Sequence, residues 1–267
     1  CCSTSPLHQA VWGRKLTLGC GMPVMSMSTG QSDSERDSLG DEQSSWEPVL
    51  LTSESSKPLW VGPAGPKPGT NAPPDGAVAI YLENDDEVFL TTSENVLHWT
   101  TLQALSFLME LDLDGRIVLD YGCGSGVLTL AASALGAASA TGIDICEYSL
   151  QNAEANAELN RFERQPSQEV AFVRAADLEV SMADLVVANM LPGPLLSVAL
   201  DIARCIRADG EVFLTGFRPD SEAVIRKAFS PWFSLELRAT SAAGWMALVG
   251  RRNSSPVGND ALSAAAL

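Results

Sequence analysis

The stretch that decides the fold is residues 117–126, Ile-Val-Leu-Asp-Tyr-Gly-Cys-Gly-Ser-Gly, which the apolar residues Val127 and Leu128 follow at once. An apolar run that ends in an acid predicts a buried β-strand, and three glycines at alternate positions predict a tight turn that opens a helix. Glycine permits positive φ, and a helix start offers free N–H groups and the positive end of the helix dipole. The stretch therefore predicts a strand, a ligand-binding turn and a helix, with a carboxylate or phosphate on the ligand.

The chain after this stretch continues to alternate between strand and helix patterns. Strands are predicted at residues 117–121, 140–144, 170–173, 184–189, 211–216, 233–239 and 245–249, and helices at residues 96–109, 127–135, 148–159, 194–207 and 221–228. This order implies a mostly parallel sheet covered by helices on both faces, and the last two strands form a closing antiparallel hairpin. The predicted fold class is α/β, a doubly wound, mostly parallel, seven-stranded Rossmann-like sheet.

Composition divides the chain into four parts. Residues 1–58 are predicted to be a disordered leader, made of a possible transit-peptide remnant and an acidic, Ser-rich linker. Residues 59–101 form a Pro/Gly-rich segment that leads into the site, with short edge strands near residues 58–61 and 78–82. Residues 102–252 form the α/β domain, and residues 253–267 form a disordered tail.

The charge balance narrows the choice of partners. With 17 basic and 33 acidic residues among 267, the chain has a formal net charge of −16. This charge repels phosphate backbones and anionic lipid, so we expect no direct nucleic acid or membrane partner, and a basic protein is the favoured partner. No apolar run approaches the roughly 18 to 20 residues of a membrane span, so a soluble protein of the cytoplasm or of an organelle, plastid or mitochondrion, is expected.

The cysteines and histidines do not show the spacing of a metal site. Six cysteines occur without Cys-x-x-Cys pairing, and the chain has only two histidines. The expectation is therefore free thiols in a reducing compartment and no metal.

Two classes of cofactor compete for the glycine turn, a dinucleotide and S-adenosylmethionine. The dinucleotide fingerprint needs Gly-x-Gly-x-x-Gly, whereas Gly126 comes one position early here. Asp120 would face a pyrophosphate badly, but it can accept a hydrogen bond from an ammonium group. Asp144 ends the second strand and can accept hydrogen bonds from both ribose hydroxyls. The pattern favours S-adenosylmethionine and places a dinucleotide-dependent oxidoreductase behind it. The candidate cofactor-binding residues are Asp120, Gly122, Gly124, Gly126 and Asp144.

Asn189 is the candidate catalytic residue. It ends the fourth predicted strand and precedes the rigid sequence Met-Leu-Pro-Gly-Pro at residues 190–194. This position brings its carboxamide to the same sheet edge as the glycine turn, where the carbonyl can orient an attacking amine. A helix cap is the alternative role for an Asn at this point.

Three other residues have a structural interpretation beside a functional one. Asp177 follows the third predicted strand and is either a partner of an adenine amino group or a solvated loop acid. Cys123 is expected to be a small spacer between glycines, and Trp245 a core residue.

Several motifs resemble those of the PrmA family, the bacterial methyltransferases of large-subunit ribosomal protein eleven. The family's Asp-x-Gly-Cys-Gly-Ser-Gly matches residues 120–126, its Gly-Ile-Asp matches residues 142–144, and its Asn-x-Leu-x-Gly-Pro-Leu matches residues 189–195. Its Asn-Ala-x-x-Asn segment is similar to residues 152–156, and the end of its Phe-Gly-Thr-Gly-x-His-x-Thr-Thr segment is similar to residues 98–101.

The resemblance implies a class I methyltransferase that transfers the methyl of S-adenosylmethionine to lysine or α-amino groups of a protein, plausibly a ribosomal protein. It implies that Thr101, Gly122, Asp144 and Asn189 contact the cofactor. Two stretches depart from the family pattern: residues 93–97 replace its Gly-Thr-Gly, and residues 1–58 lack a counterpart of its N-terminal domain. The first departure motivates an alternative, a catalytically weak or inactive interaction module that binds S-adenosylmethionine.

Overall fold

A seven-stranded sheet forms the centre of the computed structural model, which describes residues 46–64, 72–83, 97–160, 168–178 and 182–253. Its strands, in chain order, are β4 (Ile117–Tyr121), β5 (Ser139–Asp144), β6 (Glu169–Arg174), β7 (Ala183–Asn189), β8 (Ile206–Phe217), β9 (Phe233–Thr240) and β10 (Met246–Arg252). The spatial order is β6-β5-β4-β7-β8-β10-β9, and β10 alone runs against the other strands. The predicted fold class is confirmed.

Six helices connect and cover the strands of the large sheet. They are α1 (Trp99–Glu110), α2 (Val127–Ala134), α3 (Glu147–Leu159), α4 (Pro192–Ser197), α5 (Ala199–Cys205) and α6 (Pro219–Phe229). None of the helices in the described ranges is long and apolar enough to cross a membrane.

The two faces of the large sheet bury separate cores, because side chains alternate along each strand. In β7, Leu185 and Val187 belong to the core under α1 and α2, whereas Val186 and Ala188 belong to the core under α4, α5 and α6. Phe107 of α1 stacks on Phe213 of β8 with ring centroids 4.5 Å apart. Residues of β7 are buried on both faces, as a central parallel strand requires.

A second, three-stranded sheet packs into the core that lies under α1 and α2. It consists of β1 (Val49–Leu51), β2 (Leu59–Pro63) and β3 (Val78–Leu82), in the order β1-β2-β3. Strand β2 pairs antiparallel with β1 and parallel with β3, so it lies at the centre of this sheet rather than at its edge as predicted. Its Leu59 and Val61 are completely buried in the shared core.

Two local predictions are wrong. The first is the disordered linker at residues 46–58. Trp46 and Leu51 are 2% and 1% exposed, and they anchor β1 in the core. The overall Ser-rich composition of the stretch gave no sign of this buried apolar surface. The single helix expected at residues 194–207 is divided into α4 and α5 at Val198, which has a non-helical φ of −102° and ψ of 5°. The leader before residue 46 and the tail after residue 253 lie outside the described residues.

Candidate functional site

The candidate site lies where the winding of the large sheet reverses. Strand β4 pairs with β5 on one side and with β7 on the other, and Asp120 lies opposite both Gly142 and Val187. The carboxyl ends of parallel strands at such a reversal form the crevice in which doubly wound proteins bind ligands. The turn after β4 opens into this crevice.

The turn depends on its glycines for both backbone conformation and space. Gly122, Gly124 and Gly126 have φ values of 82°, 52° and 77°, a region that favours glycine. A Cβ on Gly122 would lie 2.6 Å from the sulfur of Met190, and a Cβ on Gly126 would lie 2.9 Å from the ring of Phe172. Neither Met190 nor Phe172 was predicted from the sequence as a neighbour of the turn, although Met190 directly follows the candidate Asn189.

Backbone hydrogen bonds tie the turn to β5. The N–H groups of Gly122 and Cys123 donate to the carbonyl of Ile143 at 2.7 and 3.0 Å, and the N–H of Gly126 donates to the carbonyl of Cys123 at 2.8 Å. Burial raises the pKa of the Cys123 thiol, so this side chain is a neutral spacer, as expected, rather than a nucleophile.

Asp144 links the end of β5 to the same turn. One carboxylate oxygen accepts a hydrogen bond from the N–H of Gly124 at 3.0 Å, and the other accepts one from the N–H of Cys146 at 2.9 Å. Within the described part of the chain each oxygen accepts a single hydrogen bond, which leaves a lone pair for a further donor. The predicted neighbours Gly124 and Asp144 are therefore in direct contact.

Asp120 is a buried carboxyl group with one unsatisfied oxygen. Its Oδ2 accepts hydrogen bonds from the N–H and the hydroxyl of Thr129 at 3.1 and 2.9 Å, whereas Oδ1 has no hydrogen-bond partner within the described part of the chain. Burial raises the pKa of Asp120 to about 7; nearby Asp144 adds to this rise, and the Thr129 hydrogen bonds oppose it. A buried acceptor without a donor suits a cationic group that would satisfy it.

Asn189 and Thr101 form the second part of the site. The side-chain N–H of Asn189, at the end of β7, lies 3.3 Å from the Thr101 hydroxyl, in the first turn of α1. His98 caps this helix by accepting a hydrogen bond from the N–H of Thr100. The structure thus brings together two candidate residues that are 88 positions apart in the sequence.

Trp245 lies against His98, the residue that caps α1, and is only half-buried, so the expectation of a core residue is wrong. The guanidinium of Arg218 lies 4.5 Å from the centroid of the Trp245 ring, and the His98 ring meets that ring edge-on at 4.9 Å. Burial and the charge of Arg218 lower the pKa of His98, so its imidazole is neutral at pH 7. No local signal in the sequence joins these three residues, which come from separate elements.

Two sequence interpretations remain outside this geometry. Asp177 forms an exposed ion pair with Arg174 at 2.8 Å, and its suggested contact with an adenine stays a prediction. The altered stretch that motivated the inactive alternative, residues 93–97, lies outside the described residues except for Leu97.

Known proteins show the same pattern over most of the chain. The family model for ribosomal protein L11 methyltransferase (PrmA) matches residues 92–253. A ribosomal protein L11 methyltransferase from Pseudomonas paraeruginosa is 35% identical over 215 residues, which cover 79% of this chain and 68% of the relative. One from Shewanella sp. (strain ANA-3) is also 35% identical, over 73% of this chain and 62% of the relative.

A solved structure agrees with these sequence matches. The ribosomal protein L11 methylase from Lactobacillus delbrueckii subsp. bulgaricus is 25% identical and has a TM-score of 0.56, covering 73% of this chain and 94% of that one. The matched region contains the glycine turn, Asp144 and Asn189. The chain therefore belongs to the ribosomal protein L11 methyltransferase family.

Proposed function

We propose that this protein is an S-adenosylmethionine-dependent N-methyltransferase that acts on lysine side chains or α-amino groups of a protein, plausibly a ribosomal protein. The observation that carries the proposal is the pair of carboxylates beside the glycine turn. Asp120 and Asp144 take part in none of the ion pairs found among the described residues. A ligand with a cationic end and a diol satisfies both groups, whereas a pyrophosphate is repelled by them.

In this proposal, different residues of the site bind different parts of the cofactor. When bound, S-adenosylmethionine supplies an electrophilic methyl group on a sulfonium. Asp120, Gly122, Gly124 and Thr101 would hold the methionine half, and Asp144 the ribose hydroxyls. The unsatisfied Oδ1 of Asp120 supports its role, because an ammonium group is the donor it lacks.

Asn189 is the proposed catalytic residue because, among the described residues, its side-chain N–H has a hydrogen-bond partner and its carbonyl oxygen has none. Its N–H group lies 3.3 Å from the Thr101 hydroxyl, an arrangement that leaves the carbonyl oxygen as an acceptor for the N–H of an incoming amine. An amine attacks only as the neutral species with its lone pair aimed at the methyl, so orientation and removal of water supply most of the acceleration.

The acceptor follows from the relatives and from the charge. The relatives are named for ribosomal protein L11, and we extend a ribosomal protein acceptor to this chain. A formal net charge of −16 favours encounter with a Lys-rich protein and opposes direct contact with RNA. The proposed organisation keeps residues 102–252 as the methyltransferase domain and residues 59–101 as the segment leading into the site.

The test combines binding with transfer. Titration calorimetry with S-adenosylmethionine and an assay of tritiated methyl transfer to a Lys-rich ribosomal protein should both be positive. Asn189→Ala should retain cofactor affinity within a few-fold and lose at least about 100-fold in kcat, because the amine loses the acceptor that orients it. Binding without transfer to any protein would favour the interaction module, which the family match does not favour, and nicotinamide binding would favour an oxidoreductase.

A further inference from the structure

Two buried asparagines of α3 face β3 of the small sheet. Asn156 is 0% exposed and Asn160, which caps the end of α3, is 3% exposed. Four residues apart on a helix, they lie on one face, one turn above the other. Buried amides carry a large penalty unless their donors and acceptors are used, so their partners indicate their role.

The first set of partners is the edge of β3 that does not pair with β2. Asn160 accepts a hydrogen bond from the N–H of Tyr81 at 2.8 Å and donates to the carbonyl of Tyr81 at 2.6 Å. Asn156 accepts one from the N–H of Glu83 at 2.8 Å. Two residues of a strand span about 6.8 Å and four residues of a helix about 6 Å, so the spacings agree. The two side chains occupy the place of a neighbouring strand.

The second set of partners separates the two asparagines. The side-chain N–H group of Asn156 donates to the carbonyl of Ser125, in the glycine turn, at 3.0 Å, and to the side chain of Asn152 at 3.2 Å. The N–H group of Asn160 instead donates to the carbonyls of Tyr81 and Asn156, both at 2.6 Å. Of the two, Asn156 is the one that touches both β3 and the turn.

The contact with Ser125 fixes a particular peptide group. The carbonyl of Ser125 accepts from Asn156, and the N–H of the same peptide group, that of Gly126, donates to the carbonyl of Cys123 at 2.8 Å. This peptide group follows Gly124, whose N–H donates to Asp144. The orientation of the turn against Asp144 therefore depends in part on a hydrogen bond from α3.

We propose that Asn156 is a positioning residue that couples the end of β3 to the glycine turn, so that a ligand on the turn also stabilises the hydrogen bond at Glu83. The inference rests on the proposed function of the turn as the cofactor site. The amide of Asn156 can accept from Glu83 and donate to Ser125 at once, because its acceptor oxygen and its donor nitrogen are separate atoms. Such coupling is reciprocal, so loosening one end weakens binding at the other.

The test compares Asn156→Asp with Asn160→Asp, using S-adenosylhomocysteine as the probe in calorimetry. Each change keeps the shape and an acceptor oxygen but removes the donor. Asn156→Asp should raise the Kd of the probe by at least about tenfold, because a carboxylate oxygen would then face the carbonyl of Ser125. Asn160→Asp should lower Tm about as much as Asn156→Asp does, but it should leave the Kd of the probe within about twofold of the wild-type value. In transfer assays, Asn156→Asp should raise KM for the cofactor and leave kcat unchanged.

Equal Kd values for the two variants, or an unchanged Kd in Asn156→Asp, would overturn the coupling. If Asn156→Asp does not fold, hydrogen exchange of the wild-type protein decides. The probe should slow exchange of the Glu83 amide. It should not change exchange of the Val78 amide, which lies at the other end of β3 and donates to the carbonyl of Pro58. Equal protection of both amides would overturn the proposal. A wild-type protein that does not bind the probe would instead overturn the proposed function.

Discussion

Two buried or half-buried acids at one edge of the large sheet have partners of a different kind from those of two acids at the other edge. At the edge where β4 begins, Glu211 pairs with Arg116 and Arg251, both at 3.0 Å, and Asp184 pairs with Arg207 at 2.6 Å. At the edge where β4 ends, the donors to Asp120 and Asp144 within the described ranges are backbone N–H groups and the hydroxyl of Thr129.

This difference separates structural acids from candidate binding acids. A half-buried carboxylate that serves the fold is neutralised by the protein itself, because an unpaired buried charge lowers stability. A carboxylate that binds a cationic ligand must have no cationic partner in the protein itself. The protein is therefore less stable when the ligand is absent. The raised pKa of Asp120, about 7, is a sign of this cost.

Among the substitutions that test this difference between the two edges, Asp144→Ala should have the largest effect on cofactor affinity. Two hydrogen bonds from ribose hydroxyls to a carboxylate contribute about 1.5–3 kcal/mol each, so their loss should raise the Kd for S-adenosylmethionine at least 100-fold. The N–H groups of Gly124 and Cys146 lose their acceptor as well, which adds to the effect. Calorimetry measures the change, with circular dichroism as a check of the fold.

The control for this variant is Asp201→Ala, which removes an exposed acid of α5 that pairs with Arg204 at 3.5 Å. The Kd of this variant should stay within about twofold, because the change removes the same charge from a residue whose ion-pair partner lies in α5 and not in the glycine turn. An Asp144→Ala protein with wild-type affinity would exclude Asp144 from the site and end the distinction between the two edges.

A smaller effect, about tenfold in Kd at pH 7.5, is expected for Asp120→Asn. The change replaces an acceptor by a donor that faces the ammonium group, but the wild-type carboxyl must first lose a proton, which offsets part of its advantage. Because the pKa of Asp120 is about 7, wild-type affinity should rise several-fold from pH 6 to pH 7.5. The variant should show a flat profile, and a rise of equal size in both proteins would assign the titration to another group.

The same carboxyl group should affect stability in the unliganded protein. Since its folded-state pKa lies above the ordinary aspartate value of 3.8, the folded protein keeps a proton that the unfolded chain releases. The stabilisation is complete below about pH 4 and is lost as the pH rises through about 7. Melting curves at pH 5.5 and pH 8 should show a larger fall in Tm for the wild type than for Asp120→Asn.

The sequence predicts those features of the site whose residues form a pattern local in the chain. The glycine turn and Asp144 were accessible because their pattern is local: a strand, alternate glycines and an acid at the next strand end. Thr101 came from the family resemblance, since nothing local links it to Asn189. The Asn156 contacts were hidden, because polar residues on a helix ordinarily indicate a solvent-facing side.

The arginine partners were hidden for a similar reason. Arg116, Glu211 and Arg251 come from three strands or their flanks, and their meeting depends on sheet order and register. Trp46 and Leu51 were missed because one tryptophan and a three-residue apolar run at residues 49–51, within a Ser-rich acidic stretch, are too short to show a periodicity. In each case the missing information is tertiary pairing rather than residue chemistry.

The smallest effect on cofactor affinity is expected at the opposite edge, from Glu211→Gln. The Glu211 side chain is 8% exposed, but its partners Arg116 and Arg251 are 32% and 67% exposed, so solvent screens the ion pairs and their loss should cost about 1–2 kcal/mol. This corresponds to roughly 3–8 °C in Tm, measured by thermal melting.

The Kd for S-adenosylmethionine should remain within about twofold, because Glu211 lies where β4 begins and the turn lies where it ends. Glu222→Gln, which breaks a surface pair with Arg226 in α6, is the matched control and should lower Tm by less. A tenfold loss of affinity in Glu211→Gln at unchanged Tm would mean that charge at this edge also tunes the site, so that arginine pairing would no longer mark an acid as structural.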